Sequence, residues 1–142
     1  MDLDAFAWLL TDDGQQVLAE AVALGASLDD DPLAAHDALR RTTPRADSSQ
    51  LAVALSQASL RRAAVPKFGD WADRMYFTPD GLEQATRLPV ARHRAARVLA
   101  FDATSVVDLG CGIGGDLLAL ASAGITTAGV DLDPERVAVA TA

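Results

Sequence analysis

The sequence predicts an α-helical N-terminal domain, about residues 1–100, followed by a partial α/β unit over about residues 101–142. Three observations carry this. The chain is half hydrophobic but only 5% aromatic, and its apolar content is largely Ala and Leu, which favours helix. Its first hundred residues break into segments of helical period between Gly, Pro and short polar punctuation. Beyond Ala103 the pattern changes to short apolar runs with no helical period, each followed by a helix start.

The elements follow in order. "DAFAWLL" has helical spacing and stops at Thr11, which can cap the next helix with Asp12 and Asp13 in its first turn. "QQVLAEAVAL" then runs to Gly25, a C-terminal stop. "DDDPLAAHDALRR" opens with Asp31 as cap and Pro32 as first helical residue, and Arg40 and Arg41 suit its negative end. "TTPRADSS" reads as a turn. The longest helix, "SQLAVALSQASLRRAAV", has Leu51, Ala54, Leu55 and Ala58 on one face and is expected to close at Pro66. Thr78 and Pro79 start a short helix to about Arg87, and Pro89 breaks it or begins another. That next helix, "VARHRAARVLA", has its best apolar stripe through Val90, Ala91, Ala95, Val98 and Leu99. "TSVVDL" is then a strand, "GDLLALASAG" a helix ended by Gly124, "ITTAGVDL" a second strand, and Asp133 with Pro134 caps a last helix. Strand, helix, strand, helix with short loops implies parallel strands.

Composition excludes several classes. No apolar run approaches the roughly 20 residues of a membrane span. The acidic start "MDLDAFAWLL" is unlike a basic signal peptide, so a cytoplasmic protein is expected. The single cysteine, Cys111, rules out an internal disulfide and a cysteine zinc site. The net charge of −8 is uneven: residues 1–60 carry −7, residues 61–97 carry +4 and residues 98–142 carry −5. The whole chain is therefore no basic nucleic-acid binder, and only the middle segment is suited to phosphates; otherwise it is a solvated helix face. His36 and His93 stand alone and read as surface residues rather than ligands or bases.

The chemistry concentrates in "VVDLGCGIGGD", residues 106–116. Val106 and Val107 lead to the C-terminal edge of the sheet, where open α/β sheets bind ligands. Gly110, Gly112, Gly114 and Gly115 bare the backbone where it must turn and approach a ligand, and the helix from about Gly115 points free N–H groups there. Asp131 ends the second strand and can accept from both hydroxyls of a ribose. Gly110, Gly112 and Gly115 also satisfy the G-x-G-x-x-G spacing of dinucleotide enzymes. Asp108, at the tip of the first strand, argues the other way: it repels a pyrophosphate and attracts an ammonium group. S-adenosylmethionine has an ammonium, a ribose and no phosphate.

"VVDLGCGIGGD" followed by "GVDLDPERVAVA" resembles motif I and the next acidic loop of class I S-adenosylmethionine-dependent methyltransferases, over about residues 104–142. The resemblance implies a Rossmann-like cofactor domain. In it Asp108 and the loop Gly110, Cys111, Gly112 and Gly114 face the methionine part, Asp131 binds the ribose and Leu132 packs near the adenine. Cys111 reads as a small loop residue rather than a nucleophile. Upstream, "MYFTPDGLEQATRLPVARHRAARV" is similar to the segment before motif I in trimethylguanosine-synthase-like enzymes and in bacterial methyltransferases with a THUMP-like part, although Asp80 stands where the former carry Glu. That likeness would put Phe77 and Thr78 beside the cofactor; a plain helix cap is the other reading of Thr78. It also implies an RNA acceptor, tRNA or rRNA, met by Arg61, Arg62, Lys67, Arg74, Arg92 and Arg94.

A class I sheet has seven strands and this sequence supplies two. The segment that holds the methyl acceptor in that family, often Asn-Pro-Pro-Tyr-like, has no counterpart here, so no catalytic residue is assigned. The expectation is the truncated N-terminal part of a methyltransferase, inactive alone and prone to self-association through an exposed strand edge. Two alternatives stay open: a small-molecule or protein methyltransferase with a helical lid, and a non-catalytic helical interaction module.

Overall fold

The structure, a computed structural model, describes residues 1–25 and 27–142. They form two compact units, Met1–Ala63 and Ala64–Ala142. The first holds α1 (Leu3–Leu9), α2 (Asp12–Ala23), α3 (Ser27–Asp30), α4 (Pro32–Thr42) and most of α5 (Ser48–Phe68).

Side-chain caps set where these helices begin. Asp2 Oδ1 accepts from the Ala5 N–H at 3.0 Å, Thr11 Oγ1 from Gly14 at 3.3 Å and Asp31 Oδ1 from Ala34 at 3.0 Å. Such a cap stabilises by ~1 kcal/mol. Before α5, Asp47 Oδ1 accepts the Ser49 and Gln50 N–H groups, while Gln50 Oε1 accepts from the Asp47 N–H, all at 2.9 Å. This is a reciprocal capping box. The Gln50 N–H first, then the Ser49 hydroxyl, hold the Asp47 carboxyl below its ordinary range. Leu51, Ala54 and Ala58 are buried as the spacing of α5 requires, and Leu55 is half-buried. Pro66 does not close α5, which continues to Phe68. Pro66 removes only its own N–H bond, to the carbonyl four residues back, and the helix carries two residues past it before ending. The short α3 has no counterpart among the elements expected from sequence.

The second unit continues with a 3₁₀ turn (Gly69–Arg74), α6 (Pro79–Gln84), α7 (Leu88–Leu99), β1 (Ser105–Leu109), α8 (Gly115–Ser122), β2 (Thr126–Val130) and α9 (Pro134–Thr141). Thr78 caps α6, its Oγ1 accepting from Gly81 at 3.1 Å. The helix stops at Gln84 rather than near Arg87, and Lys67 supplies a reason. Its Nζ donates to the carbonyls of Leu82 (2.7 Å), Glu83 (2.5 Å) and Ala85 (3.3 Å), the groups a helix end leaves unpaired. Pro89 lies in the first turn of α7, where its lost N–H has no partner to lose.

β1 and β2 are parallel, pairing Val107 with Ala128 and Leu109 with Val130. One sheet face turns to the helices. Ala91 and Ala95 of α7 meet Ala119 and Leu120 of α8 and Ile125, with Val106, Val98 and Ala123 packed around them. Of the stripe expected on α7, Val90 and Leu99 stay 48% and 44% exposed, because methyl groups rather than branched chains make the contact. The opposite face of the sheet is open, with Val107 63%, Leu109 80% and Val130 53% exposed. Residues 64–100 thus belong to the same compact unit as the strands. No helix among the described residues is long and apolar enough to cross a membrane.

Candidate functional site

A cleft of about 330 Å³ opens at the C-terminal ends of β1 and β2. Its floor is the loop from Gly110 to Ile113, and its walls come from α6, α7, α8 and α9. Each element brings one part of it.

The loop is a left-handed path. Gly110, Gly112 and Gly114 have φ of 95°, 57° and 80°, a region that penalises any side chain. Adding a Cβ to Gly110 or Gly112 would meet nothing within 4 Å, so the space above both is open to a ligand. Ile113 is 4% exposed and anchors the loop from beneath. The loop also returns to the sheet, where the Gly110 and Cys111 N–H groups donate to the Val130 carbonyl at 2.8 and 3.0 Å.

Asp131, just past β2, ties the loop to the next turn. Its Oδ2 accepts from the Gly112 N–H at 2.9 Å and its Oδ1 from the Asp133 N–H at 3.0 Å. These two bonds, Asp133 first and Gly112 second, hold the carboxyl below its usual range. A carboxylate has about four lone-pair positions, so it can still accept from a ligand. Leu132 beside it is fully exposed, an apolar surface with no protein partner over it.

Asp108, at the tip of β1, lines the cleft with Asp116 of α8. Burial raises the Asp108 carboxyl above its ordinary value, the negative charge of Asp116 adds to that, Arg94 opposes it and Asp131 adds again. The Cys111 thiol is raised as well, by burial first and then by Asp108 and Asp131, so the thiolate is disfavoured. That fits a packing role. Gly129 of β2 makes room for it: a Cβ there would lie 2.8 Å from Cys111 Cβ and Sγ and 2.5 Å from Leu117 Cδ1.

Two guanidinium groups complete the walls. Arg94 Nη1 donates to Asp116 Oδ2 at 2.7 Å and to Thr86 Oγ1 at 3.1 Å. Arg136 donates to Gln84 Oε1 at 3.0 Å, and its Nε lies 3.4 Å from Asp133 Oδ2. Asp116 Oδ1 is buried and has no hydrogen-bond partner among the described residues.

The cleft therefore gathers Asp108, Gly110, Cys111 and Gly112, with Asp131 and Leu132 at the neighbouring strand end. Gly114 is buried and turns the chain into α8. Phe77 and Thr78 do not line the cleft. Phe77 is fully buried against the Phe68 ring, centroids 5.7 Å apart, and Thr78 is 4% exposed with its hydroxyl given to the α6 cap. Their link to the loop is indirect: Gly81, capped by Thr78, packs on Ile113. Five of the six basic residues have contacts, or line a hollow, within their own unit. Arg62 donates to the Gly25 carbonyl, Lys67 ends α6 and Arg94 belongs to the cleft. Arg92 lies over the Trp71 ring at 5.2 Å, next to a surface hollow lined by Trp71 and Arg74. Sequence reasoning left Arg94, Asp116 and Arg136 out of the site. Asp116 adjoins the glycine loop in sequence; Arg94 and Arg136 carry no signal for the cleft, because Asp116 and Gln84, which they meet there, lie 22 and 52 residues away. No group of three or more His, Cys, Asp or Glu suited to a metal occurs among the described residues.

Comparison with known proteins finds relatives for part of the chain. Two proteins from strains of Mycobacterium tuberculosis, each named an uncharacterized S-adenosylmethionine-dependent methyltransferase, are 41% identical to it over 86 residues. The match covers 57% of this chain but only 23% of each relative, so the chain spans about a quarter of their length. Residues 2–64 match a family model described as a domain of unknown function (DUF8688), nearly the same residues as the first compact unit. No solved structure matches the chain.

Proposed function

We propose that this chain is the S-adenosylmethionine-binding part of a methyltransferase. The observation that carries the reading is Asp108 at the tip of β1, lining a cleft whose floor is bare glycine backbone. Asp116 is already paired with Arg94, so a pyrophosphate there would meet the charge of Asp108, whereas a ligand with an ammonium group and no phosphate meets complementary charge at Asp108. The names of the two relatives point the same way.

The residues present fit that cofactor. Gly110 and Gly112 leave their Cβ space open, Asp131 keeps lone pairs for ribose hydroxyls, and Leu132 offers an apolar surface for the adenine. When bound, S-adenosylmethionine supplies a methyl group on a sulfonium centre. Asp108 balances positive charge near it, and the Gly112 N–H bond to Asp131 keeps the loop and the ribose acceptor in register. RNA is the acceptor class we favour: Trp71, Arg74 and Arg92 form an aromatic and basic surface suited to a stacked base and its phosphate. By themselves residues 1–142 are proposed not to transfer methyl groups, since catalysis of this step rests on placing the nucleophile. A tritiated-methyl assay on bulk tRNA and rRNA, expected to stay at background, would overturn that part by showing incorporation.

The cofactor reading is tested by nuclear magnetic resonance. The isotope-labelled chain is titrated with S-adenosylhomocysteine and separately with NAD. The Gly110 and Gly112 amides should shift with the first ligand alone. Gly112→Val should abolish the shifts while circular dichroism stays unchanged, because a β-branched residue fills the ligand space and resists a φ of 57°. Silent loop amides with S-adenosylhomocysteine, or a response to NAD instead, would sink the reading.

A further inference from the structure

The hollow beside Trp71 has a volume of about 350 Å³ and is lined by Trp71, Arg74, Met75, Leu118 and Ser122, all of the second unit. Arg92 lies over the Trp71 ring at 5.2 Å but is not in the lining, so the hollow meets a part of the indole that Arg92 leaves uncovered. Arg74 is exposed and makes no hydrogen bond or ion pair among the described residues. Asp70 and Asp73 belong to the same 3₁₀ turn but do not line the hollow. The hollow and the glycine cleft lie on different sides of α8. Asp116 lines the cleft and Leu118 the hollow. Two positions apart on a helix, they point about 200° apart, and a helix with its side chains is ~10–12 Å across. A group in the hollow is therefore on the order of 10 Å from the cleft, about three stacked nucleotides at ~3.4 Å each.

We propose that this hollow anchors one nucleotide of a single-stranded RNA, and that the anchored nucleotide is not the one methylated. Its base stacks on the Trp71 indole, and the Arg74 guanidinium donates to its phosphate. Every base has a π face, so such a platform selects for an unpaired base rather than for a sequence. A base inside a duplex already has both faces stacked and is not admitted. The charge is complementary: Arg74 and Arg92 flank the ring within a segment of +4, in a chain of −8. An acidic peptide shares that charge but makes no use of a flat indole beside it. The inference rests on the RNA reading above; it adds where the strand is held and separates the held nucleotide from the acceptor.

The test titrates the full chain with a labelled single-stranded oligouridylate, an RNA hairpin duplex and an oligoglutamate peptide. Fluorescence anisotropy gives the affinities, and nuclear magnetic resonance follows the Trp71 indole N–H with that of Trp8 as internal reference. The oligouridylate should shift Trp71 alone, and saturating S-adenosylhomocysteine should not displace it. Trp71→Ala should weaken its binding by about 5- to 150-fold, the scale of one lost base stack, while Trp71→Phe, which keeps an aromatic face, loses less. Arg74→Gln should weaken binding and lower its salt dependence by about one ion; at an exposed position, it carries the test if circular dichroism shows Trp71→Ala to be disrupted. Oligouridylate binding that the folded variants leave unchanged, equal binding of the duplex, displacement by S-adenosylhomocysteine, or a Trp71 shift with oligoglutamate instead would each overturn the anchoring site alone. Wild-type protein that binds neither RNA would overturn the RNA reading and the anchoring site with it.

Discussion

Replacing Gly81 by alanine sets two effects against each other. Gly81 lies in the first turn of α6, and helix propensity alone predicts a gain of at most ~1 kcal/mol from alanine. The structure predicts the opposite. A Cβ at Gly81 would stand 2.4 Å from Ile113 Cγ2 and 2.6 Å from Thr78 Oγ1. Neither neighbour can yield cheaply. Ile113 is β-branched, stiff at χ1 and 4% exposed; Thr78 Oγ1 is held by the Gly81 N–H it caps. Overpacking of this kind costs ~1–3 kcal/mol, and a disturbed cap adds ~1 kcal/mol. Subtracting the propensity gain leaves a net loss of ~2 kcal/mol. Urea unfolding followed by circular dichroism reads this directly. The double variant Gly81→Ala with Ile113→Ala isolates the contact: its loss should be smaller than the sum of the two single losses, since removing Cγ2 relieves the clash. A neutral or stabilising Gly81→Ala, or strictly additive losses, would refute the idea that α6 supports the glycine loop through this contact.

Two further outcomes are expected. Lys67→Met should destabilise the second unit by ~1–2 kcal/mol, because three carbonyls at the end of α6 lose their donor while the aliphatic stem is kept; thermal unfolding would show it, and an unchanged midpoint would refute it. Ligand affinity should fall on acidification at a pH above that of an ordinary aspartate: the Asp108 carboxyl is raised, so it takes up a proton early and loses the charge that attracts an ammonium group. The sign for folding is opposite, since a carboxyl raised in the folded state is relieved by protonation there. Titration of S-adenosylhomocysteine against pH, with Asp108→Asn as a control that lacks this phase, separates the two effects.

Much of this was legible in the sequence because the determining interactions are local. Thr11, Asp31, Thr78 and Asp133 each cap the helix that follows within three residues, and the positive-φ glycines announce their turn by lacking a side chain. Asp108 and Asp131 could be read because strand ends are marked by where apolar runs stop. What could not be read depends on distance along the chain. Nothing near Lys67 says that it will end a helix 15 residues later, or near Arg94 that it will pair with Asp116. Pro66 does not end α5 because a proline removes one bond and crowds one carbonyl, a cost that packing of the helix can outweigh. Gly129 carries no local signal for its role, because the Cys111 side chain that needs its space comes from another loop.

The seam between α7 and α8 is made of Ala91, Ala95 and Ala119, and that choice of residue has an evolutionary consequence. Shrinking any of them to glycine costs ~1 kcal/mol, chiefly in backbone entropy. Enlarging one into a packed seam costs ~1–3 kcal/mol, and it also pushes α7, which carries Arg94, away from α8, which carries Asp116. Drift at these positions is thus one-sided. Sequence variation should be tolerated toward smaller volume and resisted toward larger, so the spacing of the two charged walls is inherited through residues that touch no ligand.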